Sequence, residues 1–127
     1  MSDYLTGWAR RYRLLILGAI TVLGAFFRLY QIGSLPPGDG YDSAQYGLDA
    51  LQILDGARPI FLAANFGREA LFSYLVAIVY TLTGPGALGI HLSSALIGIA
   101  TIPAVYFAAR ELLARQEETL RVWVPIV

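Results

Sequence analysis

Apolar residues fill three stretches of this chain, Leu14 to about Gln31, Glu69 to Thr83 and Ala87 to about Leu113, and polar residues gather between and beyond them. No charged residue falls between Leu14 and Phe27 or between Ala70 and Ala109. About 20 consecutive apolar residues are needed to cross the hydrocarbon of a bilayer as a helix. The pattern therefore predicts an all-α membrane protein with three transmembrane helices, at about 13–31, 69–84 and 87–113. The middle one is short for a span, and Gly84-Pro85-Gly86 closes it in a turn too tight for anything but a hairpin. Pro103 is expected to kink the third. The closing run from Val122 to Val127 reads as the start of a fourth span, as if the chain were the N-terminal portion of a longer protein.

The polar interruption, an external loop over 32–68, has a pattern of its own. Pro36-Pro37-Gly38 stops the first helix, because neither proline can donate a backbone bond. Asp42, Gln45, Asp49 and Gln52 then recur at helical spacing, with Ala44, Gly47, Leu48, Leu51 and Leu54 on another face. This predicts a short amphipathic surface helix. Asp42-x-x-Gln45 has the form of a capping box, so the carboxylate is expected to accept the first free amides of that helix. Asp55-Gly56 should end it, with the glycine left-handed, and Ile60 to Gly67 should return extended.

Composition agrees with a membrane chain: 57% of the 127 residues are hydrophobic and 14% charged, against about a quarter charged in globular domains. All nine basic residues are arginine, and with zero net charge nothing points to nucleic acid. Without cysteine, disulfides and thiolate chemistry are excluded. Arg10, Arg11 and Arg13 place the N-terminus in the cytoplasm, in a multi-pass protein of the plasma membrane. The apolar run ends in Arg28-Leu29-Tyr30 rather than a small-residue cleavage site, so it reads as an anchor and not a cleaved signal. Three crossings would leave Arg110 and Arg115 outside, against the preference for positive residues inside.

Five of the nine carboxylates lie between Leu35 and Leu71: Asp39, Asp42, Asp49, Asp55 and Glu69. A carboxylate at the membrane surface can act as a general base toward an acceptor hydroxyl or amine. Capping competes with that role, since amide bonds to a carboxylate weaken it as a base. Asp39, Asp42 and Glu69 offer oxygen ligands that would suit a divalent cation, without calcium-loop spacing, so no metal site is assigned. Arg28 reads as a snorkelling side chain or as a cation for a lipid phosphate. His91 reads as an interface residue, having no second ligand near it in sequence.

Several segments occur in a telling order: Pro-Pro-Gly, Tyr41-Asp42-Ser43-Ala44, Gly47-Leu48-Asp49-Ala50, Gly56-x-x-Pro59-Ile60-Phe61 and Arg68-Glu69-x-Leu71-Phe72-x-Tyr74-Leu75. The order resembles the N-terminal part of GT-C membrane glycosyltransferases, more narrowly glycosyltransferase family thirty-nine and relatives such as protein O-mannosyltransferases and the lipid A aminoarabinose transferase. The resemblance covers roughly 26–113, and Ser93-Ser94-Ala95-x-Ile97-Gly98 with Thr101-Ile102-Pro103 looks like the family's third span. It implies Asp42 as catalytic base, with Ser43 where the family carries a glutamate. Tyr41, Arg28, Arg68 and Glu69 are then substrate-binding residues, and Arg68-Glu69-Ala70-Leu71 matches an Arg-Glu-Pro-Leu element with alanine for proline. His91 stands where relatives tend to carry arginine. The resemblance implies a polyprenyl-phosphate sugar donor, transfer with inversion on the outer face, contacts with membrane lipid, and further C-terminal spans without which these residues would not turn over. The alternative reading is a small non-enzymatic membrane scaffold or accessory protein.

Overall fold

A computed structural model describes residues 2–34, 40–64 and 66–123, with side chains over 12–34, 40–64 and 66–115. The chain is mostly helical: α1 (Ser2–Leu29), α2 (Tyr41–Leu54), α3 (Leu71–Thr83) and α4 (Ala87–Trp123), with two short strands, β1 (Phe61–Leu62) and β2 (Arg68–Glu69), between α2 and α3. It divides into two units, Arg28–Ile97 and the pair Met1–Phe27 with Gly98–Val127.

In the unit Arg28–Ile97, the apolar face of α2 packs on α3. Ala50, Ile53, Val76, Ala77, Tyr80 and Ile90 form the buried cluster, with Leu51, Phe72 and Tyr74 packed against it. Burying one such aliphatic side chain contributes about 1.5–3 kcal/mol. Two glycines make the close approach possible. A Cβ on Gly47 would lie 2.8 Å from Tyr80 Oη, and one on Gly89 would lie 2.6 Å from the Tyr80 ring. The Gly84-Pro85-Gly86 segment separates α3 from α4, with Gly84 at φ 77°. His91 near the start of α4 meets the end of the first apolar run, its Nδ1 lying 3.1 Å from the Ile32 carbonyl oxygen.

The end of α2 forms as its sequence predicts. Gly56 takes φ 106°, its N–H donates to Ile53 O (3.1 Å), and Ala57 N–H donates to Gln52 O (2.9 Å). That pair of bonds is a Schellman cap. Its start does not form as predicted. The N-cap is Gly40, there is no side-chain cap bond, and Tyr41 and Asp42 are already helical. The capping box therefore fails: Asp42 lies two residues past the cap, and Gln45 turns the other way to donate to Asp49 Oδ1 at 3.1 Å. The extended return proves to be a hairpin, antiparallel with Phe61 opposite Glu69 and Leu62 opposite Arg68. Its register was beyond reach because strands of two residues have no periodicity to read.

The other unit is built from the first part of α1 and the later part of α4. Among the described residues, two windows are long and apolar enough to cross a membrane, Tyr12–Leu29 and Ala87–Arg115. α3, at 13 residues, falls below that length. It measures about 20 Å against a hydrocarbon thickness of about 30 Å. α4 continues through Pro103 and includes Val122 and Trp123, which extend this helix; 124–127 lie outside the described residues, as do Pro36, Pro37, Gly38 and Asp39. No residue of the first window is buried, and Ile20, Val22, Leu23, Phe26 and Phe27 are all more than half exposed.

Candidate functional site

The polar residues picked out in the external loop fold onto α2 and the hairpin beside it, some exposed and some buried between them. Helical spacing puts Asp42, Gln45, Tyr46 and Asp49 on one face. Asp42 is exposed in the first turn, where the positive end of the helix dipole favours a carboxylate. Tyr41 beside it is 74% exposed. Asp49 lies two turns further on, about 10 Å along the axis, and is buried.

Arg68 reaches this face from β2. Its Nη2 donates to Asp49 Oδ2 in an ion pair whose side chains are 9% and 4% exposed, Arg68 first. The Arg68 guanidinium carbon also stands 4.8 Å from the centroid of the Tyr46 ring. Tyr46 in turn meets Phe72 of α3 edge to face, with centroids 4.8 Å apart and planes at 86°. One arginine thus ties α2, the hairpin and the start of α3 together, 19 residues from its carboxylate partner. Asp49 is saturated on both oxygens, by Arg68 and by Gln45. Arg68 is not: its Nε and Nη1 are buried with no partner among the described residues, and neither has Ser73 Oγ at the start of α3. A planar guanidinium anchored on one nitrogen and stacked on a ring presents its remaining N–H donors in a fixed direction, suited to an oxyanion.

The remaining predicted site residues stand apart in role. Glu69 is exposed on β2 opposite Phe61, and Arg28 is the exposed basic residue in the last turn of α1. Among the described residues, no three carboxylates or histidines come together as a metal site. At the other end of α2, Arg58 Nη1 donates to Ile53 O (3.0 Å) and Ala57 O (2.7 Å). It closes a cleft of about 360 Å3 with Ile53, Leu54, Tyr74, Ala77, Ile78 and Thr81.

Sequence reasoning named Asp42 and Arg68 but gave Asp49 and Tyr46 no role. One signal was available for Asp49: a carboxylate flanked by Leu48, Ala50 and Leu51, four residues after a glutamine, asks for a buried partner. Compared with protein-family models, with curated proteins and with solved structures, the chain has no match in any of the three.

Proposed function

We propose that this chain supplies the first part of a GT-C-type membrane glycosyltransferase that moves a sugar from a polyprenyl phosphate to an acceptor at the outer face of the plasma membrane. The observation that carries the reading is Asp42, exposed in the first turn of α2, in the loop that follows the first apolar helix. In this reading Asp42 takes the proton of an acceptor hydroxyl or amine. The acceptor atom bonds to the anomeric carbon from the face opposite the phosphate, and the carbon–oxygen bond to phosphate breaks with its electron pair, inverting the centre. In the same reading Tyr41, Arg28 and Glu69 bind substrate. Arg68, held by Asp49 and Tyr46, supports the site with the N–H groups of Nε and Nη1.

The same reading takes α1 and α4 as the spans and leaves α3 outside the bilayer. Arg13 of α1 and Arg110 of α4 line one cleft, so their basic ends belong to the same side of any membrane both helices cross. Two crossings put Arg10, Arg11, Arg13, Arg110 and Arg115 in the cytoplasm together, and the conflict that three crossings create disappears. α2, the hairpin and α3 are then external by connectivity.

Two experiments test this. The complete reading frame, with whatever it encodes beyond Val127, is assayed in membranes for transfer from polyprenyl-phosphate sugars; Asp42→Asn should lower the rate by a factor on the order of 10²–10⁴, the usual contribution of a general base. Unchanged transfer removes Asp42 from the mechanism, and absence of any transfer by the wild type favours a scaffold. Topology is read separately. The chain has no cysteine, so Leu82→Cys, at a position 84% exposed, is a unique label site. A membrane-impermeant thiol reagent should reach it from outside; labelling only after the membrane is opened would restore three spans.

A further inference from the structure

The unit formed by α1 and the later part of α4 holds a second polar feature, where the apolar window Tyr12–Leu29 of α1 begins. A cleft of about 610 Å3 is lined by Arg13, Val105, Tyr106, Ala109, Arg110, Leu113 and Ala114. Tyr106, Ala109, Arg110 and Leu113 lie at helical spacing and make one stripe of α4, while Arg13 faces it from α1. The two arginines have no counter-ion among the described residues. Glu111, the nearest carboxylate in sequence, is taken by Arg115 at 3.1 Å on an exposed part of the helix. The rest of the wall is apolar, apart from the Tyr106 hydroxyl. A volume of several hundred cubic ångströms is typical of small-molecule sites.

We infer that this cleft binds one anionic phospholipid, its phosphate between the Arg13 and Arg110 guanidiniums, its acyl chain running past Ala109 toward Val105, and its headgroup on the side of Leu113 and Ala114. Charge decides the occupant. Two uncompensated guanidiniums at the edge of two apolar helices sit where lipid phosphates are, and an arginine fork suits a phosphodiester. The apolar wall gives no purchase to a free phosphate ion, and the positive charge gives none to a zwitterionic lipid over an anionic one. The lipid links the two helices at their cytoplasmic ends. The inference rests on α1 and α4 crossing a membrane and is independent of the transferase reading, so loss of transfer in Asp42→Asn leaves it standing.

The full chain is placed in nanodiscs of phosphatidylcholine with a graded fraction of phosphatidylglycerol, and the retained lipid is counted by native mass spectrometry after release. The wild type should retain phosphatidylglycerol over phosphatidylcholine, and Arg13→Gln and Arg110→Gln should each lower that preference by roughly fivefold. Arg115→Gln, which removes an arginine already engaged by Glu111, should leave the preference unchanged. The double variant should show parity; circular dichroism verifies its helices, and the single variants carry the test where it is not recovered. An equal loss in Arg115→Gln would show diffuse surface charge and overturn the site. So would a preference that survives the double substitution, or displacement of the lipid by millimolar inorganic phosphate.

Discussion

The two units of this chain are both helical and both apolar, yet they are organised by opposite rules. Arg28–Ile97 has an interior: Ala50 and Val76 are fully buried, Gly47 and Gly89 let neighbouring elements touch Tyr80, and an ion pair is closed inside it. Among its described side chains, Met1–Phe27 with Gly98–Val127 has almost none. Its large apolar residues point outward, and a Cβ added at Gly18 would meet nothing within 4 Å. The difference teaches where each unit finds its stabilisation. The first excludes solvent with its own side chains, while the second depends on an apolar medium or on other helices around it.

The sharpest way to break the comparison is at Asp49. Asp49→Leu leaves Arg68 charged and buried with no carboxylate, and loss of one partner of such a pair is expected to destabilise the packed unit by about 3–5 kcal/mol. Hydrogen exchange of α2 and α3 amides should rise sharply, with α1 little affected. Adding Arg68→Met should restore most of the protection, because an apolar pair of similar size can replace a buried ion pair. If Asp49→Leu alone leaves exchange unchanged, the interior of this unit is not what orders it.

This contrast was only half legible in the sequence. Run length and freedom from charge sufficed for α1 and α4, because a helix that must satisfy all its backbone groups in an apolar medium advertises itself as an unbroken apolar segment. The end of α2 was legible at Asp55-Gly56, since left-handed geometry selects glycine locally. Its start was misread. Asp42 and Gln45 fit a capping box by spacing, but Gly40 takes the cap with φ −69° and ψ 167°, and spacing does not say at which residue helical geometry begins. α3 was legible as a helix, but its packing was not: an apolar 13-residue segment reads alike as a short span or as a helix buried on one side, and its contacts with Ala50 and Ile53 needed the fold. The Asp49–Arg68 pair was out of reach for a different reason. It joins residues 19 apart through a hairpin whose strands are two residues long, and no local pattern encodes that meeting. For the candidate site, Asp42 was visible as a carboxylate in a loop, while the support given to Arg68 by Tyr46 and Asp49 required the fold.

A single type of substitution, glycine to alanine, should take opposite signs in the two units. At Gly89 the new Cβ would lie 2.6 Å from two ring carbons of Tyr80 and 3.1 Å from Thr83 Oγ1. Tyr80 is 5% exposed and packed in the core, so the ring has nowhere to turn. Gly89→Ala should therefore destabilise by about 1–3 kcal/mol, the ordinary range for overpacking. At Gly18, inside α1, the same methyl meets nothing and only removes conformational freedom from the unfolded chain. Gly18→Ala should stabilise that helix by about 0.5–1 kcal/mol, since glycine inside a helix is weaker than alanine by this amount. Amide exchange in α3 and at the start of α4 reads the first change, and exchange in the middle of α1 the second. A loss of protection around Gly18 would mean that α1 is closely packed on that side, and the contrast between a unit with an interior and a unit without one would fall with it.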